Sequence, residues 1–305
     1  MNNNDFNKIR NWIHRNARPL DLARWAFHFE DGESDEVIRL LSFYQNEDGG
    51  FGHALEPDSW NPHSTPITTN TAAEILREIG HKNRKHPMIV EMLKYLESTH
   101  GKSGRKWLFS IPENNLHPHA PWWEATDEGT MTKFNPTASL LRFILDFGDY
   151  QSDLYMLALN EIENIKKDFI ETDEPSMHDL ICLECVRDYL DEERLNKLEE
   201  KTIEKDPEKW EGYTCRPSAF IKEVHHPLLK HDELRALLSL ELDTIENTLH
   251  KDGYWEITWK WNSFPDEFAI SRNWWRADLA IKNLLLLKSF DRLKRSKNGS
   301  SDDEA

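Results

Sequence analysis

The sequence predicts an all-α protein in which six helical hairpins close into a ring, an (α/α)6 toroid with an inner and an outer set of helices. Three observations carry this. Apolar residues recur at helical spacing in about twelve segments, and no strand-like alternation of any length competes with them. The connections alternate: those after Phe29, Ile79, Phe147, Leu190 and Leu229 are short, whereas those after Tyr44, Ser98, Phe169, Glu204 and His250 are mostly long. One set of helices is low in charge and includes small residues (Ala72, Ala73, Ala138, Ala277, Ala280), and the other is highly charged. In a ring of hairpins alternate helices run parallel. The small-residue set is therefore assigned inside, and the long loops to one end, beside the inner N-termini.

Taken in order, residues 5–16 form an amphipathic helix around Phe6, Ile9, Trp12 and Ile13. Pro19 restarts the chain, a second helix covers 20–29, and Asp31-Gly32 breaks it. The third spans 34–44. After a long polar loop, the Thr68-Thr69-Asn70 run offers N-caps for a helix over 70–79, stopped by Gly80. Residues 87–98 follow, then a loop to 133, then a helix over 137–147 opened by Asn135-Pro136-Thr137. Helices over 152–169, 177–190, 192–204, a weaker 218–224, 232–250 and 273–293 complete the set, leaving 294–305 as a solvated tail.

Composition narrows the function. At 305 residues the chain can bury a sizeable core in one large domain, here residues 1–293. A formal net charge of −17 argues against nucleic acid or an anionic membrane surface as the main partner. No apolar run reaches the length of a membrane span, and the N-terminal stretch has no apolar signal region. Three cysteines fit a reduced, cytoplasmic setting better than a disulfide framework. Twelve tryptophans are many, and point either to buried packing or to a ring-lined cavity.

The chemistry concentrates in residues 45–74, QNEDGGFGHALEPDSWNPHSTPITTNTAAE. Asp48-Gly49-Gly50 is a turn signal, Phe51 an aromatic plug, and His53, Glu56, Asp58, Trp60 and His63 crowd a short loop before a helix N-terminus. The turn has a counterpart in Asp252-Gly253-Tyr254-Trp255 and a degenerate third copy in 104–107, as internal repetition of hairpins requires.

These motifs resemble the α/α-toroid superfamily of terpenoid cyclases and protein prenyltransferase β-subunits. Gln45-x-x-Asp48-Gly49-Gly50-Phe51-Gly52 is similar to that family's repeated Gln-x-x-x-Gly-x-Trp/Phe element, and Gly49 to Asp58 looks like a stretch found in a small soluble, bacterial, squalene-cyclase-like branch. The resemblance implies the toroid and a central cavity for an isoprenoid or other small molecule. It stops at the acids: where cyclases carry Asp-x-Asp-Asp, this chain has Thr68-Thr69-Asn70-Thr71-Ala72. The prenyltransferase zinc set is also incomplete. Cys215 with His225 or His226 leaves a metal question open, and no metal or cofactor is expected.

Glu56 and Asp58, with His53, are the candidate catalytic acids and bases. Candidate binding residues are Trp60, His63, Asn70, Trp122, Trp123, Asn135, His178, Arg216, Trp259, Trp261, Arg272, Trp275 and Arg276. Arg272 and Arg276 lie four apart, on one helix face. Three functions stay open. One is an isoprenoid enzyme whose aromatic rings stabilise cations. Another is a carbohydrate-active enzyme using Glu56 and Asp58. The third is a non-catalytic binding module. Inner helix N-termini and three arginines at one mouth lead to the expectation of an anionic ligand group there. The oligomeric state is left open.

Overall fold

The computed structural model describes residues 1–100 and 106–293. Among them are eleven α-helices and no strand, only isolated β-bridges between loops. The helices are α1 (Asn3–Asn16), α2 (Pro19–Phe29), α3 (Ser34–Leu41), α4 (Pro66–Glu78), α5 (Pro87–Thr99), α6 (Thr137–Phe147), α7 (Asp153–Ile170), α8 (Met177–Glu184), α9 (Glu192–Thr202), α10 (Asp232–Asn247) and α11 (Pro265–Ser289). None is long and apolar enough to cross a membrane. The expected tail, 294–305, and the start of the degenerate turn at 104 lie outside the described residues.

Local chemistry sets the helix starts. Proline occupies the first turn of α2, α4, α5 and α11, where its missing N–H costs nothing. Ser152 and Asp191 cap α7 and α9, and Ser176 with Asp179 forms a capping box on α8. Two expected starts are corrected by this rule. α4 begins at Pro66 under a Thr65 cap rather than at Asn70, and α11 begins at Pro265 rather than Asn273. The weak helix expected over 218–224 is a short 3-10 turn, Pro217–Ala219. The helix expected to reach 190 ends at Glu184.

Helix pairs pack as neighbours: α2 with α3, α6 with α7, α8 with α9. The low-charge helices also touch each other, α4 with α6, α6 with α8, and α11 with α2. Small residues permit this closeness, since Ala72, Ala138, Ala277 and Ala280 are fully buried. One core cluster runs from Ile9 in α1 to Leu287 in α11. The long loops meet one another: Trp60 N–H donates to the Pro118 carbonyl (2.9 Å), Ala120 N–H to the Asp58 carbonyl (2.8 Å), and the His119 and Phe264 rings lie 5.9 Å apart.

The repeated turns share a physical role. Gly49 (φ 89°) and Gly253 (φ 94°) both adopt left-handed backbone, and a Cβ on either would lie 2.1 Å and 2.3 Å from the carbonyl oxygens of Glu91 and Lys8. Each turn is followed by a buried aromatic, Phe51 or Trp255. The Trp255 indole donates to the Ile245 carbonyl at 2.8 Å, and Trp107 likewise donates to Leu96 at 3.3 Å. Each of these two indoles thus bonds the last turns of the helix before it.

Gly49 and Gly80 therefore separate two costs. Gly80 (φ 66°) has nothing within 4 Å of where its Cβ would stand. Gly80→Ala should lose only the left-handed penalty, about 1 kcal/mol, whereas Gly49→Ala adds a backbone clash and should lose at least about 2 kcal/mol more. Urea unfolding midpoints of the two variants would check the difference.

Candidate active site

The 52–65 loop is bent into place by strain and held by a buried arginine. His53 and Ala54 take consecutive left-handed conformations, with φ of 56° and 57°, costing on the order of 1–2 kcal/mol each. Arg18 offsets this: its Nη1 donates to the carbonyls of Ala54 (2.8 Å) and Leu55 (3.3 Å) while its Nε binds Asp21 at 2.7 Å. The chain then turns inward, and Glu56 and Asp58 are 8% and 2% exposed.

Asp58 is gripped by indoles from the far end of the chain. Trp261 Nε1 donates to its Oδ1 at 2.9 Å, and Trp259 Nε1 to its Oδ2 at 3.2 Å. The Trp275 N–H faces the same carboxyl at the margin of hydrogen-bond geometry and adds to the pull of the other two indoles. Burial pushes the Asp58 carboxyl up to about 6, against the opposing pull of the indole donors.

Glu56 faces a cavity of about 80 Å³ bordered by Arg18, Arg24, Thr71, Glu74, Glu78, Trp275, Asp278 and Lys282. The Thr71 hydroxyl donates to it at 3.3 Å. Burial, then the charges of Asp58 and Glu74, push the Glu56 carboxyl up to about 8. The surroundings explain why. Arg24 bridges Glu78 (2.6 Å), Asp278 (2.9 Å) and Asp21 (3.2 Å), and Lys282 binds Asp278 at 2.8 Å. Three cations (Arg18, Arg24, Lys282) thus already face four carboxylates (Asp21, Glu74, Glu78, Asp278), and an ionised Glu56 would be a fifth. Glu78 resolves its burial the other way: the Arg24 charge, with hydrogen bonds from His28 and Arg24, brings it down to about 2.

Aromatic rings extend from the acids toward solvent. Trp259 packs edge-on against Trp275 (5.3 Å) and Tyr213 (6.0 Å). The Tyr213 hydroxyl hydrogen-bonds His178 Nε2 at 2.8 Å, and its ring stays 56% exposed. Burial first, then the charges of Asp58, Cys215 and Glu56, raise the Tyr213 phenol, so the ring stands close to both acids.

Other expected site residues scatter. His53 is exposed and bonds Asn46 Oδ1 at 2.8 Å, and exposed His63 lies 6.0 Å from the His117 ring. Trp60 stacks on Trp274 at 5.4 Å and donates to Ser271, and the Arg18 guanidinium caps the Trp274 ring. Trp122 is exposed, while Trp123 packs into a small cluster with Ile67, Ala120 and Trp261. Asn135 precedes a cis proline, and its carbonyl accepts from Thr132. Asn70 falls inside α4 and donates to Glu74 at 2.9 Å, leaving its buried Oδ1 without a partner.

Of the three arginines expected at the mouth, two are engaged within the protein. Arg276 is paired with Glu256 and lies over the Tyr254 ring at 4.2 Å, and Arg216 donates to the Trp210 carbonyl. Arg272 is exposed, about two turns into α11 because that helix starts early.

Among the described residues, the groups gathered around His226 are carboxylates rather than Cys215. His225 is exposed; His226, Glu184 and Glu199 place ligand atoms within 4.8 Å of one another. Arg187 Nη2 already stands among them, 2.8 Å from Glu199 and 3.4 Å from His226 Nε2. His226 Nδ1 stands 3.3 Å from the Leu228 N–H, and its Nε2 faces the Arg187 guanidinium. Burial pushes the Cys215 thiol up to about 12. The Arg187 guanidinium supplies the positive charge among Glu184, Glu199 and His226.

Sequence reading missed Arg18, Arg24, Thr71, Glu74 and Tyr213. A signal was present: Glu74 and Glu78 in α4, and Asp278 and Lys282 in α11, stand four apart, each pair on one helix face. No protein-family model, curated protein or solved structure matches the chain.

A carboxyl with a raised folded pKa holds an extra proton in the folded state. Stability should therefore fall as pH rises from the unfolded value of 4.5 through the folded value of about 8 for Glu56. Glu56→Gln should flatten this decline between about pH 5 and pH 8, by a few kcal/mol at most. Urea denaturation of both proteins across that range would show it; parallel curves would place Glu56 in a solvated, ionised state instead.

Proposed function

We propose that the chain is a helical toroid acting as an acid–base enzyme on a neutral, carbohydrate-like substrate at the end where the long loops meet. The toroid reading draws on the contacts of α11 with α2, α4 with α6 and α6 with α8, and on Arg24 joining α2, α4 and α11. The functional reading rests on one observation. Two neighbouring carboxyls have raised pKa values that differ, about 8 for Glu56 and about 6 for Asp58, beside a half-exposed aromatic surface.

At neutral pH Glu56 keeps its proton and serves as the general acid, and Asp58 is largely ionised and serves as the base, nucleophile or cation stabiliser. The indoles hold Asp58 by N–H donors without neutralising it. Protonating a glycosidic oxygen as the bond breaks suits an acid of this strength. Sugar rings present apolar faces to aromatic side chains such as Tyr213 and Trp259.

The isoprenoid reading draws less support. An acid held near 8 is too weak to protonate an alkene. Arg18, Arg24, Arg276 and Lys282 are all committed to carboxylates, leaving few charges for a diphosphate. The cavity at Glu56, about 80 Å³, is far below the several hundred Å³ that a prenyl chain fills.

Cleavage of neutral glycosides should show a bell-shaped pH profile with limbs near 6 and 8, set by Asp58 and Glu56. Glu56→Gln should lower kcat roughly 10²- to 10⁴-fold and remove the upper limb. A carbon-13 NMR titration of the two carboxyls tests the premise without a substrate; ordinary titration of both near 4 would reject the acid–base assignment.

A further inference from the structure

Asp58 is 2% exposed and does not border the cavity that reaches Glu56. A substrate can meet this carboxyl only after part of its cover moves. The cover comes from residues 255–263, between α10 and α11. Among the described residues, no backbone N–H or carbonyl of 255–263 hydrogen-bonds to another backbone group. Side chains alone hold this segment, and a wall held in that way opens locally at low cost.

The side chains do not hold it evenly. At one end Trp255 is 4% exposed and donates to the Ile245 carbonyl at 2.8 Å. At the other, Trp261 is 6% exposed, packs with Ile67, Ala120 and Trp123, and reaches Asp58 Oδ1 at 2.9 Å. Between these anchors Glu256, Thr258 and Lys260 are exposed, and Ile257 and Trp259 are half-buried. Trp259 reaches Asp58 Oδ2 at 3.2 Å, the long end of the normal range. It meets Trp275 and Tyr213 edge-on. The remaining tie is the exposed ion pair of Glu256 with Arg276.

We infer that residues 256–260 form a lid, anchored at Trp255 and Trp261, whose Trp259 swings off Asp58 to admit the substrate; this rests on the acid–base reading above. Opening breaks the Trp259 bond and spares the Trp261 bond. Asp58 therefore keeps its orientation through Oδ1 while Oδ2 is freed. The space that Trp259 vacates lies against Asp58 and between the rings of Trp275 and Tyr213. Tyr213 stays in place through its hydroxyl bond to His178. An incoming ring with an apolar face would thus replace the indole it displaces. Short lids with anchored ends are a common way to admit substrate to a covered site.

Carboxyl labelling by a water-soluble carbodiimide and glycinamide, read by peptide mass spectrometry at pH 5, tests the lid without a substrate. Asp58, with its value of about 6, is largely protonated there, so losing an indole donor changes its reactivity little. Fully buried Asp21 reports global unfolding, and exposed Asp266 reports free access. Asp58 should label faster than Asp21 and more slowly than Asp266. Trp259→Phe should speed Asp58 labelling at least fivefold, and Glu256→Gln two- to threefold, with Asp21 unchanged. Trp261→Phe, whose bond survives opening, should stay within twofold. Asp58 labelling that only tracks Asp21, or equal acceleration by Trp259→Phe and Trp261→Phe, would overturn the lid. Labelling as expected, with no glycoside cleaved, would reject the acid–base reading and leave the lid motion standing. Glycoside cleavage with Asp58 labelled no faster than Asp21 would reject the lid alone.

Discussion

The Arg24 guanidinium is 3% exposed and bonds three carboxylates from three helices, Asp21 of α2, Glu78 of α4 and Asp278 of α11. Such a charge survives burial only because its partners are fixed, and removing any one would strand the rest. Arg18, at the N-cap of α2, shares Asp21 and reaches across to the strained turn at 53–54. The loop carrying Glu56 is therefore clamped to the same ionic cluster that joins the helices. Fold and site share this cluster, and Glu56 keeps its proton chiefly because it is buried, with the charges of Asp58 and Glu74 adding to the effect.

The second constraint is the distance in sequence between Asp58 and the tryptophans that bind it. Trp259 and Trp261 come from the loop before α11, some two hundred residues on. Their indoles desolvate the carboxyl and bond it at once. Desolvation wins, so the group stays ionisable near neutrality while its orientation is fixed. Glu56 differs because it is held by a hydroxyl, that of Thr71, at the longer distance of 3.3 Å. Neighbouring acids on one loop thus acquire different proton affinities from unlike surroundings.

Much of this was legible in the sequence, and the limits have physical reasons. Helical periodicity placed the elements, and the crowding of Glu56 and Asp58 beside a helix start marked the loop. The starts of α4 and α11 were misjudged because Thr68–Asn70 resembles a cap, whereas Pro66 and Pro265 set the first turn earlier. Residues 218–224 failed as a helix because Pro217 opens a turn that His226-Pro227 soon closes off. The anionic-ligand expectation counted arginines without their partners, and Glu256 lies twenty residues from Arg276. Ion pairing of this kind appears only when the chain is folded.

The indole grip on Asp58 also makes the site optically self-reporting. Trp259 and Trp261 hold their N–H groups against a carboxyl whose charge changes near pH 6. That change alters the electric field along both ring systems and displaces their absorption and emission. The electrostatic state of the site is thereby written into the colour of two of its own residues, without a label or a bound molecule.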